Sequence, residues 1–322
     1  MDSPMLTPKV LRSTAKLPET PALERIGYGT GVGVFNLNRD EKSPWAAKII
    51  SRHAGRDRKQ YSNRLQLEAK VLSSLNHPNV IGYRAFVKRP DGREILLMEQ
   101  CEQSLCDLIE LRVDQCLGPF PNKYIEKVAV DIANALDYLH TSLVLHGDIK
   151  SGNILVKNNF EIVKLCDFGV SLPLKTDGTL HRVKGHKAMY VGTPCWSAPE
   201  VLKGDECLGA IITSKADIFS YGLVFWEMMT LSVPNTSTAI DESYYTGISD
   251  DLDAHLGESP PIPASLIVDP NYKQIINLYQ MCTIQDYLKR PSAKQILYYI
   301  DNFFFDKISI RDAESKISST PF

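Results

Sequence analysis

The sequence predicts an α+β fold in which short strands come first and helices follow. Three observations lead to it. Apolar stretches of strand length alternate early in the chain with turn chemistry, glycine-rich at Gly27–Val34 and Asp-Gly at Asp91-Gly92. From Ser104 onward the apolar spacing changes to the helical period. The length of 322 residues is enough for one two-lobed domain or two ordinary ones.

The elements follow in order. Residues 1–22 have neither helical nor strand periodicity and read as a flexible tail. The tail carries Ser3-Pro4, Thr7-Pro8 and Thr20-Pro21, each a target for a proline-directed kinase, with Thr7 the first choice. Gly27-Tyr28-Gly29-Thr30-Gly31-Val32-Gly33-Val34 reads as a hairpin whose glycines let backbone approach a ligand without a Cβ in the way. Trp45–Ile50 reads as a strand, and Leu65, Leu72 and Leu75 mark the apolar face of a helix. Gly82–Pro90 and Ile95–Met98 flank Asp91-Gly92 as a hairpin. Leu105, Leu108 and Ile109 mark a short helix, and Ile125, Val128, Ala129, Ile132, Ala135, Leu136 and Leu139 a long one ending at His140. Ile162–Leu165 reads as a strand, Leu223–Met229 continues a core helix that is apolar nearly all round, and Ala293–Phe305 is the last helix. Residues 235–263 mix acidic side chains with Pro260-Pro261-Ile262-Pro263 and read as a mobile acidic insert. A polar tail, 306–322, closes the chain.

Composition narrows the function classes. With 43% hydrophobic and 23% charged residues this is an ordinary globular composition. A net charge of -2 gives no reason to expect nucleic-acid or anionic-membrane binding. No apolar run approaches the ~20 residues of a membrane span, and Met1-Asp2-Ser3-Pro4 does not begin a secretory signal. The seven cysteines include no C-x-x-C pair, so free thiols in a reducing compartment, cytoplasmic or nuclear, are expected. Cys101 and Cys166 are expected to be reachable by electrophiles.

The chemistry concentrates in His146-Gly147-Asp148-Ile149-Lys150-Ser151-Gly152-Asn153, with Asp167-Phe168-Gly169 beginning nineteen residues past Asp148. Together with the glycine-rich hairpin, Ala46-Ala47-Lys48, Glu68 and Gly192-Thr193 to Ala198-Pro199-Glu200, these motifs resemble those of eukaryotic protein kinases, in order, from residue 24 to about 305. Within that family, Ser43-Pro44-Trp45-Ala46, His77–Phe86 and Lys215-Ala216-Asp217-Ile218-Phe219 are similar to a mitogen-activated protein kinase kinase-like group.

The resemblance implies a bilobal protein-kinase fold over 23–305 with ATP between the lobes. It has a small mainly β N-lobe (23–98), a hinge (99–103) and a larger helical C-lobe (104–305). It implies that Asp148 orients the attacking hydroxyl and Lys150 neutralises the moving phosphate. Asn153 and Asp167 are the implied Mg²⁺ ligands, while Lys48, fixed by Glu68, holds the ATP phosphates. Ile26, Gly27, Gly29, Gly31, Val34, Ala46, Met98, Glu99, Cys101 and Leu155 are the implied nucleotide contacts, with Met98 guarding the back of the pocket. Thr193 is implied to contact Asp148 and Lys150, which favours serine/threonine over tyrosine as acceptor. Asp217 is implied to anchor the catalytic loop and Arg290 to pair with Glu200.

The expected partners are protein substrates, and the implied role is in mitotic or stress signalling, with dual specificity left open. Two departures are visible. Gly147 stands where most kinases have the Arg that binds an activation-loop phosphate, and Val32 stands at the third glycine of the hairpin. They support the alternative, a kinase-like scaffold without transfer activity. The basic run Lys175, His181, Arg182, Lys184, His186 and Lys187 reads either as a solvated loop or as a lure for acidic substrates. Thr176, Thr179 and Tyr190 beside it are candidate phosphorylation sites. The end Thr320-Pro321-Phe322 is not a typical PDZ ligand, so PDZ binding is not expected.

Overall fold

The computed structural model describes residues 24–29, 31–37, 45–51, 55–181, 190–202, 211–236 and 255–304. Thr7 and both expected tails lie outside the described residues, as do Arg182, Lys184, His186, Lys187 and the acidic residues of 241–253.

The N-terminal lobe is a five-stranded antiparallel sheet with one long helix against it. Its strands are β1 (Glu24–Gly29), β2 (Val32–Asn36), β3 (Trp45–Ile50), β4 (Tyr83–Lys88) and β5 (Glu94–Glu99), in the order β1-β2-β3-β5-β4. Helix α1 (Arg58–Leu72) buries Leu65, Ala69 and Leu72, along about two turns of one face. Glu68 lies on that same buried face, which is unusual for a carboxylate and marks it for a partner. The β1–β2 turn is tight, with Gly29 paired to Val32. Gly31 there has φ +82°, and a Cβ at this position would lie 2.3 Å from the Tyr61 ring of α1. Only glycine satisfies both demands.

The second lobe is mostly helical and is built on two buried helices. Strand β6 (Gln103–Ser104) leads into α2 (Leu105–Asp114), which starts at a capping box formed by Ser104 and Asp107. Helix α3 (Asn122–Thr141) buries all seven apolar positions of its predicted stripe, none with measurable exposure. Strands β7 (Val144–Leu145), β8 (Ile154–Lys157), β9 (Ile162–Leu165) and β10 (Leu172–Pro173) carry the loops between them at the lobe boundary. Next come α4 (Pro199–Leu202), α5 (Lys215–Thr230), α6 (Ala264–Ile267), α7 (Lys273–Cys282) and α8 (Ala293–Phe303). Helix α5 is buried along almost its whole length and packs against α3 and α7, so its few polar groups must find partners inside.

Three boundaries differ from expectation. Glu99 ends β5 and Gln103 begins β6, so the connector between the lobes is narrower than 99–103. Helix α8 stops at Phe303, two residues early. The segment expected to be mobile over 235–263 is pinned at both described ends. Asn235 donates to the Cys195 carbonyl, Trp226 and Tyr279 donate to the Pro261 and Pro260 carbonyls, and Ser259 donates to the Thr283 carbonyl. Prolines supply carbonyl acceptors without competing N–H donors, which suits them to this anchoring.

Candidate active site

The site begins with a buried carboxylate. Asp217 opens α5 with no exposure, and an ion there is tolerated only if its oxygens are filled. The His146 N–H donates to Oδ2 and the Gly147 N–H to Oδ1, each at 2.9 Å, and His140 Nε2 lies 2.9 Å from Oδ2. Burial alone would raise this carboxyl, but the bond and charge of His140 and the backbone donors hold it below the ordinary carboxylate value. The loop before Asp148 is thereby fixed to the core helix.

Asp148 itself faces the cleft and is surrounded by donors. Thr193 gives it both its hydroxyl (2.7 Å) and its backbone N–H (2.9 Å), on Oδ1. Asn153 Nδ2 reaches Oδ2 at 2.9 Å and the Asp148 carbonyl at 2.7 Å. Lys150 Nζ donates to Thr193 Oγ1 at 2.7 Å and stands 3.3 Å from Asp148 Oδ2. A carboxylate so held is oriented as an acceptor for a hydroxyl proton.

A second cluster descends from the N-terminal lobe. Lys48 Nζ lies 2.8 Å from Glu68 Oε2 and 3.0 Å from Asp167 Oδ1, so β3, α1 and the Asp167 loop meet on one ammonium. Burial would lower the Lys48 pKa, but the carboxylates of Asp167 and Glu68 outweigh it and drive it well above the ordinary lysine value. Burial moves Glu68 the other way, up to about 7, against the pull of Lys48. Asp167 is held down at about 2, because Lys48 overcomes the desolvation that would raise it. Asp167 has φ +62°, and its side chain keeps 45% exposure toward the cleft. Phe168 beside it is fully buried, edge-on to His146 at 4.9 Å between ring centres.

The donor set can be tested against a divalent cation. Both Asn153 N–H groups are taken up by Asp148, leaving its Oδ1 as the available oxygen, and Asp167 adds an ionised, accessible carboxylate. The two residues are tied by the Cys166 N–H donating to the Asn153 carbonyl at 3.0 Å. Two hard oxygens suit Mg²⁺, which keeps water and phosphate for its other positions. Among the described residues no group of three or more His, Cys, Asp or Glu could hold a metal alone.

The remaining predicted positions fall around the same cleft. Val34 pairs with Lys48 across β2–β3, and Ala46 pairs with Met98 across β3–β5, both of the latter buried. Ile26, Gly27 and Gly29 lie on β1, whose side chains are outside the described set. Leu155 lies on β8, paired with Ser104, and is partly buried. Glu99 can serve through its backbone carbonyl only. Its N–H donates to Gly82, and its carboxylate takes the Gly82 N–H (3.2 Å) and Lys164 (3.0 Å). Burial raises the Cys101 thiol to about 11 and the Cys166 thiol well above its ordinary value, so neither is a ready thiolate nucleophile.

One residue, Glu227, and the packing roles of Tyr190 and His146 escaped the sequence reading. Glu227 lies in the last turn of α5, where it accepts from Ser151 Oγ and from Trp196 Nε1 (3.1 Å), joining the loop after Lys150 to the segment after Thr193. A carboxylate within the apolar run Leu223–Met229 was the available signal. Tyr190 packs on Gly147 and Gly192; a Cβ on Gly192 would come within 2.5 Å of its ring. Its hydroxyl turns toward Ser220, and burial, with the charges of Asp217 and Asp148, raises its pKa well above the ordinary value. His146 also packs here, with Nε2 2.9 Å from the Cys166 carbonyl.

Comparison with known proteins agrees with this geometry. A family model described as "Protein kinase domain" matches residues 21–300. The human lymphokine-activated killer T-cell-originated protein kinase is 43% identical over 88% of this chain and 90% of its own length. A mitogen-activated protein kinase kinase kinase 2 from Arabidopsis thaliana is 32% identical over 84% of this chain and 39% of its own. A probable serine/threonine-protein kinase, drkC, from Dictyostelium discoideum is 33% identical over 68% of this chain and 27% of its own.

Proposed function

The chain belongs to the protein kinase family and is a serine/threonine kinase; on that premise we propose that it transfers the γ-phosphate of ATP to serine or threonine hydroxyls of protein substrates. The observation that carries this is the convergence of Thr193, Asn153 and Lys150 on Asp148, beside Lys48 held between Glu68 and Asp167.

The chemistry follows from what those groups do. Asp148 accepts or orients the acceptor hydroxyl's proton, its two oxygens aimed by Thr193 and Asn153. Lys150 places positive charge where the transferred group gains negative charge. Lys48 binds phosphate oxygens, kept in place and fully charged by its two carboxylates. Asn153 and Asp167 would hold Mg²⁺, which when bound neutralises charge on the phosphates. Met98 and Ala46 form an apolar wall for a base, and the backbone after Glu99 offers its edge hydrogen bonds.

Several finer readings support a signalling role. Similarity to kinases named for the mitogen-activated cascade favours a place in mitotic or stress signalling, and the cysteine pattern favours the cytoplasm or nucleus. Thr7-Pro8 is the first candidate for an upstream proline-directed kinase. Among the described residues no helix is long and apolar enough to cross a membrane.

A radiolabelled transfer assay with Mg-ATP and a generic protein acceptor tests the proposal. The parent protein should label serine or threonine, and Asp148→Asn should lower turnover roughly 10²–10⁴-fold while still binding ATP. No transfer by the parent would favour the scaffold alternative, and labelling confined to tyrosine would overturn the specificity.

A further inference from the structure

Two short turns begin at side chains that meet at Asp148, and both are fastened on their inner sides to one buried carboxyl. The first is the 3₁₀ turn Ser151–Asn153, entered from Lys150, with the Asn153 N–H donating to the Lys150 carbonyl at 3.0 Å. The second is the 3₁₀ turn Pro194–Trp196, entered from Thr193, with the Trp196 N–H donating to the Thr193 carbonyl at 3.1 Å. In the cleft, Lys150 Nζ donates to Thr193 Oγ1 at 2.7 Å. In the core, Ser151 Oγ donates to one oxygen of Glu227, and Trp196 Nε1 donates to the other at 3.1 Å. The links close a ring that runs from Lys150 through Thr193, Trp196, Glu227 and Ser151 back to Lys150.

We infer that Ser151 is a positioning residue for phosphate transfer, acting through Glu227 and Trp196 to keep Lys150 in register with Thr193. The inference rests on the transfer reading above. Ser151, Trp196 and Glu227 are all buried. An apolar side chain would fill the first of these positions without needing a partner, whereas a buried hydroxyl must find one. Ser151 finds it in the same carboxyl that holds the other turn. Helix α5 supplies the rigid part. Asp217 in its first turn fastens the loop ahead of Asp148, through the His146 and Gly147 N–H groups. Glu227 in its last turn fastens the same loop just after Lys150, so Asp148 and Lys150 lie between two anchors on one helix. The second turn is held to α5 twice, because Ser220 also donates to the Trp196 carbonyl at 2.7 Å. Lys150 must release part of its bonding to meet the moving phosphate, so its contact with Thr193 cannot alone keep the two loops aligned.

Ser151→Ala in the full-length protein removes the hydroxyl and leaves Glu227 and Trp196 in place. Steady-state transfer should show kcat lower by roughly tenfold, inside the roughly 10²-fold that a misplacement of about 1 Å can cost. Glu227→Leu should lose at least as much. Glu227→Gln keeps an acceptor for Trp196 and a donor for Ser151, and should recover most of that loss. In a Thr193→Val background Ser151→Ala should cost less than about twofold, because the contact it positions is already gone, whereas independent losses would multiply. Hydrogen exchange reads the link without transfer. The Trp196 and Ser197 amides, bonded to the Thr193 and Pro194 carbonyls, should exchange about tenfold faster in Ser151→Ala, although Ser151 lies on the other loop. Parental kcat in Ser151→Ala would overturn the proposal, as would losses that multiply with Thr193→Val or an exchange rate equal to the parent's. A parent protein without transfer would sink the transfer reading alone, and exchange would then decide the coupling between the two turns.

Discussion

Thr193 donates twice to the same oxygen of Asp148, through its hydroxyl at 2.7 Å and its backbone N–H at 2.9 Å, while Lys150 donates to the Thr193 hydroxyl at 2.7 Å. The three residues come from two loops more than forty positions apart. The segment that carries Thr193 is thus latched onto the Asp148 carboxylate, and Thr193 is the latch.

Thr193→Val keeps the backbone donor and the shape but removes the hydroxyl. A hydrogen bond to a charged group contributes about 1.5–3 kcal/mol, which corresponds to roughly 10–100-fold in rate. Steady-state kinetics should show kcat falling by that range with KM for ATP unchanged, and Thr193→Ser should recover most of it. A Thr193→Val enzyme with parental kcat would refute the latch.

Glu227 makes a pH prediction. Burial lifts its carboxyl from 4.5 to about 7 despite bonds from Ser151 and Trp196. The folded state therefore retains a proton that the unfolded chain has released, so stability from this group is full below pH 4.5 and is lost as pH rises through about 7. Across that interval the effect corresponds to about 3 kcal/mol. Glutamine can accept from Trp196 and donate to Ser151, so Glu227→Gln should be more stable than the parent at pH 8 and nearly equal at pH 4.5. Urea unfolding at both pH values checks this; a variant less stable at pH 8 would show that the carboxylate is ionised and favourable.

How much of this was legible in the sequence depends on how each contact is encoded. Lys48, Glu68, Asp148, Asn153 and Asp167 were readable because phosphate chemistry demands those residue types at fixed intervals along a local element. Asp217 and Arg290 were readable through the motif around each. Glu227 was not, because its partners lie 76 and 31 residues away and nothing local requires a carboxylate there. Tyr190 looked like a loop hydroxyl, since only the folded chain shows that Gly147 and Gly192 leave room for its ring. The pinned end of the acidic segment was hidden for the same reason: prolines signal irregular backbone, whereas their carbonyls meet Trp226 and Tyr279 only in the fold.

Among the described residues Arg290 is the largest fully buried side chain, and its guanidinium meets Glu200 at 2.6 and 2.9 Å while also donating to the carbonyls of Ile284, Gln285 and Lys215. Removing one partner of such a pair leaves a buried charge without its counterion, at a cost of about 3–5 kcal/mol. Arg290→Met should therefore show a markedly lower denaturation midpoint. Adding Glu200→Leu should recover part of the loss, because the uncompensated carboxylate goes with it. A double variant as unstable as the single one would place the cost in the orphaned carbonyls instead.

Gly147 and Tyr190 determine what a phosphatase should do. The described parts of the segment between Asp167 and Glu200 are fastened by protein contacts: Thr193 on Asp148, Tyr190 against Gly147 and Gly192, the Leu180 N–H on the Ile212 carbonyl at 2.9 Å, and Thr179 bridged to Thr213. No arginine beside Asp148 waits for an added charge. Phosphatase-treated protein should therefore keep most of its transfer activity. Gly192→Ala should lose far more, because its Cβ would stand 2.5 Å from the Tyr190 ring and 2.7 Å from the Gly147 carbonyl oxygen, and backbone cannot give way as a flexible side chain does. Gly147→Ala adds the strain of a side chain at φ +81°, about 1–2 kcal/mol, with the Val170 carbonyl 3.3 Å from the new Cβ. A more than tenfold loss on dephosphorylation, restored by phosphate on Thr176 or Thr179, would mean that the fastening seen here is insufficient and that loop phosphate completes it.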